Sequence, residues 1–172
     1  DEWIRKNSNK KFDDNGQIAL SGKTNELILN QAKDNFKIIS INESLDVKNF
    51  DVSFVKGLSL EDGCATLTEF TAYLISEGLK KVDRINNIKT KKFIMSGGGR
   101  KNKALINKVD QLMDYKELTI KNIDEFKISG DFVESQAFAY LAIRRFLNIP
   151  ISFPNTTRCT KPCLGGKIIK NF

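Results

Sequence analysis

A short apolar strand followed by three consecutive glycines is the feature that most constrains the fold of this 172-residue chain. Residues 93–96 (Phe-Ile-Met-Ser) precede Gly97, Gly98 and Gly99, and a helical pattern begins near Ala104. Because glycine lacks a Cβ atom, such a run lets the backbone turn sharply and approach a flat or anionic ligand. The first amides of the next helix add partial positive charge. This order is typical of nucleotide sites in α/β proteins, but it also occurs in tight turns without a ligand, and both interpretations stay open.

Helical and strand patterns alternate along the chain, which predicts an α/β fold. Asp13 to Gly16 has the composition of a turn, and the apolar residues 18–20 after it indicate a short strand. Residues 37–57 are polar and aperiodic, and we expect a long connection there. Helices are predicted over 24–34 (capped by Thr24), 59–80 (capped by Ser59), 103–113 and 131–147, and strands over 91–95, 117–120 and 167–169, with a loop over 124–129.

Apolar residues at helical spacing give the expected core. The length of the chain suits one domain or one lobe of a larger protein. Cys64 falls inside the 59–80 helix and is expected to be a buried, inert thiol. Thr66 and Thr68 on the same helix are expected to be packing or interface residues rather than ligand contacts. The last long helix is strongly apolar, and we expect Ala137, Phe138, Leu141 and Ile143 to lie in the core.

The formal charge is +7, from 28 Lys and Arg against 21 Asp and Glu. Such an excess suits either a nucleic-acid surface or a protein that handles anionic small molecules. The lysines occur singly or in pairs, without a dense tract or a basic stripe of regularly placed aromatics, which favours the second class. No apolar stretch reaches the roughly 18 residues of a membrane span. No signal peptide is visible, and without an initiator Met the chain is expected to be processed or part of something longer.

The chain contains no histidine, which removes His-based acid–base catalysis, catalytic triads and His metal ligands. Any proton transfer must fall to a carboxylate, Lys, Tyr or Cys. Cys159 and Cys163 supply only half of a zinc site. We expect these cysteines to be free thiols in a reducing cytosol.

The stretch Ser21-Gly22-Lys23-Thr24 imitates the end of a phosphate-binding P-loop. That motif requires a glycine five residues before the Gly-Lys pair, and Gln17 stands at that position. A P-loop is therefore not predicted.

Several motifs, in order, resemble the C-terminal half of anhydro-N-acetylmuramic acid kinases. They cover nearly the whole chain, and their order is more specific than the glycines alone. They are residues 62–72 (Asp-Gly-Cys-Ala-Thr-Leu-Thr-Glu-Phe-Thr-Ala), Ser96 to Gly99 with Asn102, Gly130-Asp131 with Glu134, Ala137, Phe138, Ala139, Leu141 and Ala142, and Pro154, Thr156, Thr157 and Leu164 to Gly166.

The resemblance implies the C-terminal lobe of an actin/hexokinase-like (ribonuclease H-like) fold, in which two α/β lobes close on ATP. It implies a cytoplasmic enzyme, usually a homodimer, that uses ATP and Mg²⁺. The family's reaction opens the 1,6-anhydro ring of anhydro-N-acetylmuramic acid with water and phosphorylates O6, in cell-wall recycling. The alternatives are a related kinase acting on another sugar and a non-catalytic basic module that binds nucleic acid.

The resemblance also has gaps. The family's N-terminal phosphate loop and the Asp-Thr-Gly-Pro-Gly-Asn segment with the presumed catalytic aspartate are missing from these 172 residues. We therefore expect a single lobe over 1–172, with no catalytic residue of its own and no activity in isolation. A family stretch is replaced around residues 42–46, and Arg158 and Cys159 stand where the family tends to have small residues.

The resemblance assigns roles to a few residues. Gly97, Gly98, Gly99 and Asn102 are placed against the adenosine end of ATP. Glu134 is either a contact to a sugar hydroxyl or a helix-start carboxylate stabilised by the macrodipole or a capping box. Asp131 is expected to cap that helix. No metal ligand is assigned.

Overall fold

Short helices precede one long helix and a small parallel sheet in this protein. A computed structural model describes residues 1–36, 50–86, 92–113 and 119–169. Single turns of 3₁₀ helix lie at Asp14–Gly16, Ser53–Val55, Gly98–Lys101 and Ile123–Phe126. The helices and strands described are α1 (Glu2–Asn7), α2 (Gln17–Ser21), α3 (Glu26–Asn35), α4 (Leu60–Asn86), β1 (Lys92–Met95), α5 (Lys103–Leu112), β2 (Thr119–Asn122), α6 (Val133–Phe146) and α7 (Pro154–Thr157).

Helix α4 is the element against which α1, α2, α3 and α5 pack. It begins where the sequence predicts, because the Ser59 hydroxyl accepts a hydrogen bond from the Asp62 amide at 3.0 Å. At its first turn the Trp3 indole donates to the Leu60 carbonyl at 3.1 Å. A Cβ atom on Gly63 would lie 2.5 Å from the Trp3 indole nitrogen, so a glycine is needed for this close packing.

Three clusters of buried side chains form the core. The first, between α1, α2, α4 and α5, is centred on Ile4 and Val55; the second packs Leu29 of α3 against Phe70 of α4; the third joins Val109 and Met113 to α4 and the sheet. Cys64 is buried in the first cluster, as predicted. Among the described residues beyond Met113, only Gly130 is buried.

Two local predictions near the N-terminus are wrong. Residues 18–20 belong to helix α2 rather than to a strand, because both oxygens of the Asp13 carboxylate accept hydrogen bonds from the amides of Ile18 (2.8 Å) and Ala19 (3.0 Å). Helix α3 is capped by Asn25, whose Oδ1 accepts from the Ile28 amide at 3.1 Å, and not by Thr24. The Thr24 hydroxyl is instead bonded to Glu69.

The two strands pair in parallel, with Phe93 opposite Ile120 and Met95 opposite Asn122. Helix α5 lies between them in sequence, as in a strand–helix–strand unit, which agrees with the predicted α/β class. β2 agrees with the predicted strand at residues 119 and 120 and continues to Asn122, while residues 117 and 118 lie outside the described residues. Residues 167–169 form no strand; the tail instead makes an isolated antiparallel bridge between Ser152 and Cys163. The replaced stretch 42–46 lies outside the described residues.

Helix α6 forms over Val133–Phe146, but the prediction that it is a core helix is wrong. None of its residues is buried, and Phe138 and Ile143 are 65% and 58% exposed. Ala137 is exposed and Leu141 only half-buried. The apolar sequence of α6 is sufficient to form a helix, but burial also needs a partner surface, and no described element covers this one.

No helix among the described residues combines the length and the apolar character needed to cross a membrane.

Candidate nucleotide site

The three glycines form a turn that links strand β1 to helix α5. Gly97 has φ +79°, and Gly98 begins a turn of 3₁₀ helix. Asn102 then caps α5, since its Oδ1 accepts a hydrogen bond from the Leu105 amide at 3.0 Å. The strand, the glycine turn and the capped helix therefore follow one another as the sequence predicts.

Backbone conformation accounts for only one of these glycines, and packing accounts for none of them. Gly97 has a positive φ that disfavours a side chain, whereas Gly98 has ordinary backbone angles. A Cβ atom on either residue would meet nothing within 4 Å, and one on Gly99 would make only ordinary contact, 3.7 Å from Leu105 Cδ2. The open space above Gly98 is therefore available to a ligand.

This open space belongs to a cleft of about 510 Å³. Of the predicted residues, the cleft brings together Gly98, Gly99 and Asn102, while Gly97 lies in the turn behind them. The facing wall carries the aromatic ring of Phe12, 56% exposed, with the cations Lys11 and Arg5. The lining comprises Asp1, Arg5, Lys11, Phe12, Asp13, Asp14, Asn15, Gly98, Gly99, Lys101 and Asn102. A volume in this range suits a nucleotide-sized ligand.

Gly16 sets how closely the two walls approach. Its φ is +73°, and a Cβ atom there would overlap Oδ1 of Asn102. Only glycine therefore allows the 3₁₀ turn Asp14–Gly16 to lie directly against the cap of α5. The Asp13-to-Gly16 turn, recognisable in the sequence, is thus one wall of the cleft.

Arg100 holds the glycine turn in place from behind. Its side chain is only 3% exposed. The guanidinium donates from Nε to Asp124 Oδ2 at 2.8 Å, and from Nη1 to the Gly97 carbonyl at 3.0 Å and to Asp131 Oδ1 at 2.7 Å. A Cβ atom on Gly130 would overlap Arg100 Nε, so this glycine makes room for the guanidinium. Arg100 thereby ties the glycine turn to the loops after β2 and before α6.

The charges of this junction stabilise one another. Hydrogen bonds from Arg100 and then Lys101 hold the pKa of Asp131 far below its usual value. Hydrogen bonds from Arg100 and the Gly130 amide lower the pKa of Asp124. The hydrogen bond with Asp131, and then that with Asp124, raise the pKa of Arg100. The junction is therefore fully ionised at neutral pH.

The prediction that Asp131 caps α6 is wrong. The N-cap position is Phe132, which makes no side-chain capping hydrogen bond. The Asp131 carboxylate instead receives Arg100 on one oxygen and Lys101 on the other, each at 2.7 Å. Two cations outcompete the helix amides for this carboxylate.

Glu134 lies in the first turn of α6, with its side chain exposed. It does not line the cleft of Gly98 and Asn102. The residues described here give its carboxylate neither a hydrogen bond nor an ion pair. The two interpretations of Glu134 therefore stay predictions.

Thr66 has the packing role expected of it. Its side chain is fully buried; the hydroxyl donates to the Asp62 carbonyl at 2.8 Å and accepts from the Asn25 amide at 3.0 Å. Thr68 lies nearby in a second cleft of about 400 Å³, beside Glu69.

Three polar side chains of this second cleft, Thr24, Glu69 and Lys108, are bonded to one another. The Glu69 carboxylate accepts from the Thr24 hydroxyl at 2.6 Å and from Lys108 Nζ at 2.9 Å. Burial opposes its ionisation, but the hydrogen bonds from Thr24 and Lys108 together with the charges of Lys108 and Lys33 outweigh burial and lower the pKa of Glu69. Glu69 and Lys108 are therefore already paired with each other.

Sequence reasoning did not identify Phe12, Lys11, Arg5 or Arg100. Phe12 could have been noticed as an aromatic residue directly before the Asp13 turn. Its position opposite Gly98, however, depends on contacts between residues that are distant in sequence. No three His, Cys, Asp or Glu residues of the described ranges lie close enough together to form a metal site.

Known proteins resemble this chain over its whole length. Residues 1–171 match the family model of anhydro-N-acetylmuramic acid kinase. The protein of that name from Pelagibacter ubique is 50% identical over 176 aligned residues, which cover 100% of this chain and 46% of that protein. The Zymomonas mobilis kinase is 36% identical, with 98% of this chain and 44% of the relative covered. The Caulobacter vibrioides kinase is 35% identical, with 92% and 41% covered.

The chain thus spans less than half the length of these curated relatives. The match nevertheless includes the glycine turn, the Asp13 wall and the α6 segment, and it confirms the resemblance drawn from the motifs. This chain belongs to the anhydro-N-acetylmuramic acid kinase family.

Proposed function

We propose that this chain forms the nucleotide-binding lobe of an ATP-dependent kinase. The enzyme hydrolytically opens 1,6-anhydro-N-acetylmuramic acid and phosphorylates O6, giving N-acetylmuramic acid 6-phosphate in peptidoglycan recycling. The lobe is the C-terminal one of an actin/hexokinase-like fold, and the enzyme works in the cytoplasm as a homodimer. The observation that carries the proposal is the unfilled backbone corner at Gly98, in a chain whose relatives are named as kinases.

In this proposal the adenosine end of ATP lies against Gly98 and Gly99, beside Asn102. The exposed ring of Phe12 supports the purine from the opposite wall, because an aromatic ring and a base stack favourably. The N–H groups of Gly98 and Gly99, which donate to no acceptor among the described residues, add partial positive charge near the ligand. Lys11 and Arg5 attract the phosphates.

Magnesium is proposed to enter with the ATP phosphates. Protein sites usually hold this ion through one or two carboxylates together with the phosphates, so a cluster of three is not required. Asp13 is committed to the α2 amides through both oxygens, which leaves Asp14 as a suitable carboxylate on this wall. The bound ion would neutralise developing charge on the transferred phosphoryl group.

The sugar is proposed to contact Glu134. The carboxylate of this residue is exposed, and the described residues leave it unpaired, so it can accept a hydrogen bond from a sugar hydroxyl. The base that activates water is proposed to come from the part of the relatives that this chain does not span. The 172 residues alone are therefore expected to bind nucleotide without turnover.

Nucleotide binding to the chain tests the first part of the proposal. A Val side chain at position 98 would occupy the open corner without a backbone clash, so Gly98→Val should weaken binding of ATP in a calorimetric titration by roughly tenfold or more. Gly78→Val is the matched control, because Gly78 lies in α4 and its Cβ would also meet nothing within 4 Å. Unchanged affinity in Gly98→Val, or equal losses in both variants, would contradict the site.

Activity tests the second part. The portion of the Pelagibacter ubique relative that has no counterpart here can be joined to this chain, and ADP release measured with 1,6-anhydro-N-acetylmuramic acid as the acceptor. The product should gain one phosphoryl group and one water. In this chimera Glu134→Gln should raise the KM for the sugar while leaving that for ATP unchanged. Turnover by the 172-residue chain alone, or by the chimera only with another sugar, would overturn the assignment.

A further inference from the structure

The glycine turn of the nucleotide cleft is bonded directly to the segment that precedes helix α6. The Gly97 amide donates a hydrogen bond to the Gly130 carbonyl at 3.2 Å. The Arg100 guanidinium donates to the Gly97 carbonyl at 3.0 Å and to Asp131 Oδ1 at 2.7 Å. Lys101, which lines the cleft, donates to the other oxygen of the Asp131 carboxylate at 2.7 Å. Two segments that are distant in sequence therefore share one set of hydrogen bonds.

Helix α6 begins directly after this segment. Glu134, whose carboxylate is proposed to contact the sugar, lies in the first turn of the helix. The Gln136 amide donates to the Phe132 carbonyl at 2.9 Å at the same end. Because α6 buries none of its residues, the hydrogen bonds at Gly130 and Asp131, rather than a shared core, join its start to the glycine turn.

Arg100 lies at the centre of these bonds but does not line the cleft. Its side chain is almost completely buried. Its remaining acceptor is Asp124, whose carboxylate also accepts from the Gly130 amide at 2.8 Å. A guanidinium is a planar, rigid fork of N–H groups, so it fixes the relative positions of acceptors that come from separate segments. An effect of Arg100 on a ligand in the cleft must therefore pass through the residues that it holds.

We propose that Arg100 is a positioning residue that couples the nucleotide site to the start of α6. This coupling rests on the proposed function, because it requires ATP to bind at Gly98. Hydrogen-bonded junctions of this kind open by local unfolding. ATP needs the closed glycine turn, so its binding shifts the junction toward the closed state. The closed junction in turn orders the first turn of α6, which holds Glu134 in place for the sugar.

The position of the cleft makes this coupling measurable. Among the described residues, none beyond Asn102 lines the cleft. ATP bound there reaches the start of α6 only through the junction. The far end of α6 has different partners, since Arg145 Nε donates to the Gly166 carbonyl at 3.3 Å. An effect of ATP that reaches the start of the helix should therefore fade before its end.

The test measures amide hydrogen exchange of the 172-residue chain by mass spectrometry, with and without ATP at a concentration that calorimetry shows to be saturating. ATP should slow exchange over 97–102, where it is proposed to bind. It should also slow exchange over 129–137 by roughly fivefold or more, because the amides of Gly130, Phe132 and Gln136 are bonded in the closed junction. Exchange over 143–149 should stay unchanged.

Three variants separate coupling from folding. Asp131→Asn leaves the bonds from Arg100 to Gly97 and Asp124 in place, so it should bind ATP and keep the protection over 97–102 while losing that over 129–137. Arg100→Met should lose the protection over 129–137 and also bind ATP more weakly. Lys121→Met is the matched control, because it removes an exposed ion pair of the same loop, that with Glu125, and should behave as wild type.

The outcomes distinguish the coupling from the nucleotide site itself. A wild-type chain that does not bind ATP would refute the proposed function, and the coupling with it. A wild-type chain that binds ATP, with protection confined to 97–102, would overturn the coupling alone. The coupling would also be overturned if Asp131→Asn or Arg100→Met bound ATP and kept the full protection over 129–137. If Arg100→Met fails to fold, Asp131→Asn decides the question.

Discussion

Helices α3 and α6 show how differently the two ends of this chain use apolar residues. Helix α3 buries Leu29 completely against α4. Helix α6 is longer and more apolar, yet it buries no residue. The same contrast holds more widely, since every buried residue of the three core clusters lies at or before Met113. Beyond that point only Gly130 is buried in the part of the chain that the structure describes.

The difference shows that helix formation and burial have separate causes. Local terms favour α6: Glu134 lies in its first turn and Arg144 and Arg145 in its last, each complementary to the helix macrodipole. Arg144 also donates to the Tyr140 hydroxyl one turn earlier, at 3.0 Å. Burial depends on a second surface, which α4 provides for α3. Under the proposed function, the portion of the relatives outside this chain would supply a surface for α6.

Among the leucines of the two regions, the largest effect should come from Leu29. Leu29→Ala removes a side chain with no solvent exposure, and losing its contacts and leaving a cavity should lower the free energy of unfolding by about 3 kcal/mol. Urea denaturation followed by circular dichroism measures this change.

Two leucines serve as controls for that measurement. Leu27 lies two residues earlier on the same helix and is 81% exposed, and Leu147 at the end of α6 is 58% exposed. Replacing either by Ala should change the free energy of unfolding by no more than about 0.5 kcal/mol. A Leu147→Ala loss comparable to that of Leu29→Ala would show that α6 is packed in solution and would break the comparison.

The next largest effect should come from Arg100, which joins the two regions. Arg100→Met fills a similar volume but removes the donors to Gly97, Asp124 and Asp131. The two carboxylates then lose their buried partner, so amide hydrogen exchange over 97–101 and 124–131 should become roughly tenfold faster or more. Exchange over 29–32 should stay unchanged.

Lys101→Met is the matched control for Arg100. Lys101 pairs with the same Asp131, but its side chain is 54% exposed, and exposed pairs contribute little. Exchange that accelerates equally in both variants would mean that the guanidinium does not organise the junction. Acceleration throughout the molecule in Arg100→Met would mean that the junction and the core unfold as one unit.

The acid response of the junction should be smaller. The pKa of Asp131 and of Asp124 is lowered in the folded protein from the ordinary value of 3.8. A lowered folded pKa contributes stability that is complete above the unfolded value and is lost as the pH falls through the folded value. Stability from this pair should therefore be constant from neutral pH to about pH 5 and decline below about pH 4.

Asp131→Asn isolates that contribution. The variant should be less stable than wild type at pH 7. The difference should shrink below about pH 4, because there the unfolded wild type takes up a proton that the native carboxylate does not, and this lowers wild-type stability. Thermal unfolding across this pH range measures it. If the stability difference stayed the same down to pH 2, the charge of Asp131 would not be its cause. The difference would then come from the unequal hydrogen bonding of the amide and the carboxylate.

Features that depend on neighbours in sequence could be predicted. The Ser59 cap of α4 and the Asn102-capped helix after the glycine turn follow from propensities and side-chain–backbone hydrogen bonds within one turn. The order of the motifs along the sequence also indicated the family, and the match over residues 1–171 confirms it. The strand predicted at 18–20 failed because a short apolar run fits a helix equally well, and Asp13 decided the outcome.

Features that depend on distant contacts could not be predicted. Arg100 meets Asp124 across 24 positions, and Gly16 packs directly against Asn102, which is far from it in sequence. Neither pairing leaves a periodic signal. Phe12 has the same difficulty, since nothing in its own segment indicates that it faces Gly98. For α6, the apolar sequence was interpreted as core because a single sequence does not show whether a partner surface is present.

The smallest effect should come from Phe138, and it tests the exposed region directly. Phe138 is 65% exposed, whereas Phe70 in the second core cluster is 7% exposed. Phe138→Ala should leave the free energy of unfolding within about 0.5 kcal/mol of wild type, while Phe70→Ala should cost about 3–5 kcal/mol.

Phe138→Ala should nevertheless reduce binding of a hydrophobic dye and self-association in sedimentation, because exposed apolar patches drive both. An equivalent substitution at Phe12, on the nucleotide cleft, should leave self-association unchanged and weaken ATP binding. If Phe138→Ala destabilised the chain as strongly as Phe70→Ala, the apolar face of α6 would have to be covered within this chain. If it changed neither stability nor dye binding, the exposed face would not behave as a continuous apolar surface. The expected combination, unchanged stability with reduced dye binding, occurs only if α6 is held by local interactions while its apolar face remains available to a partner.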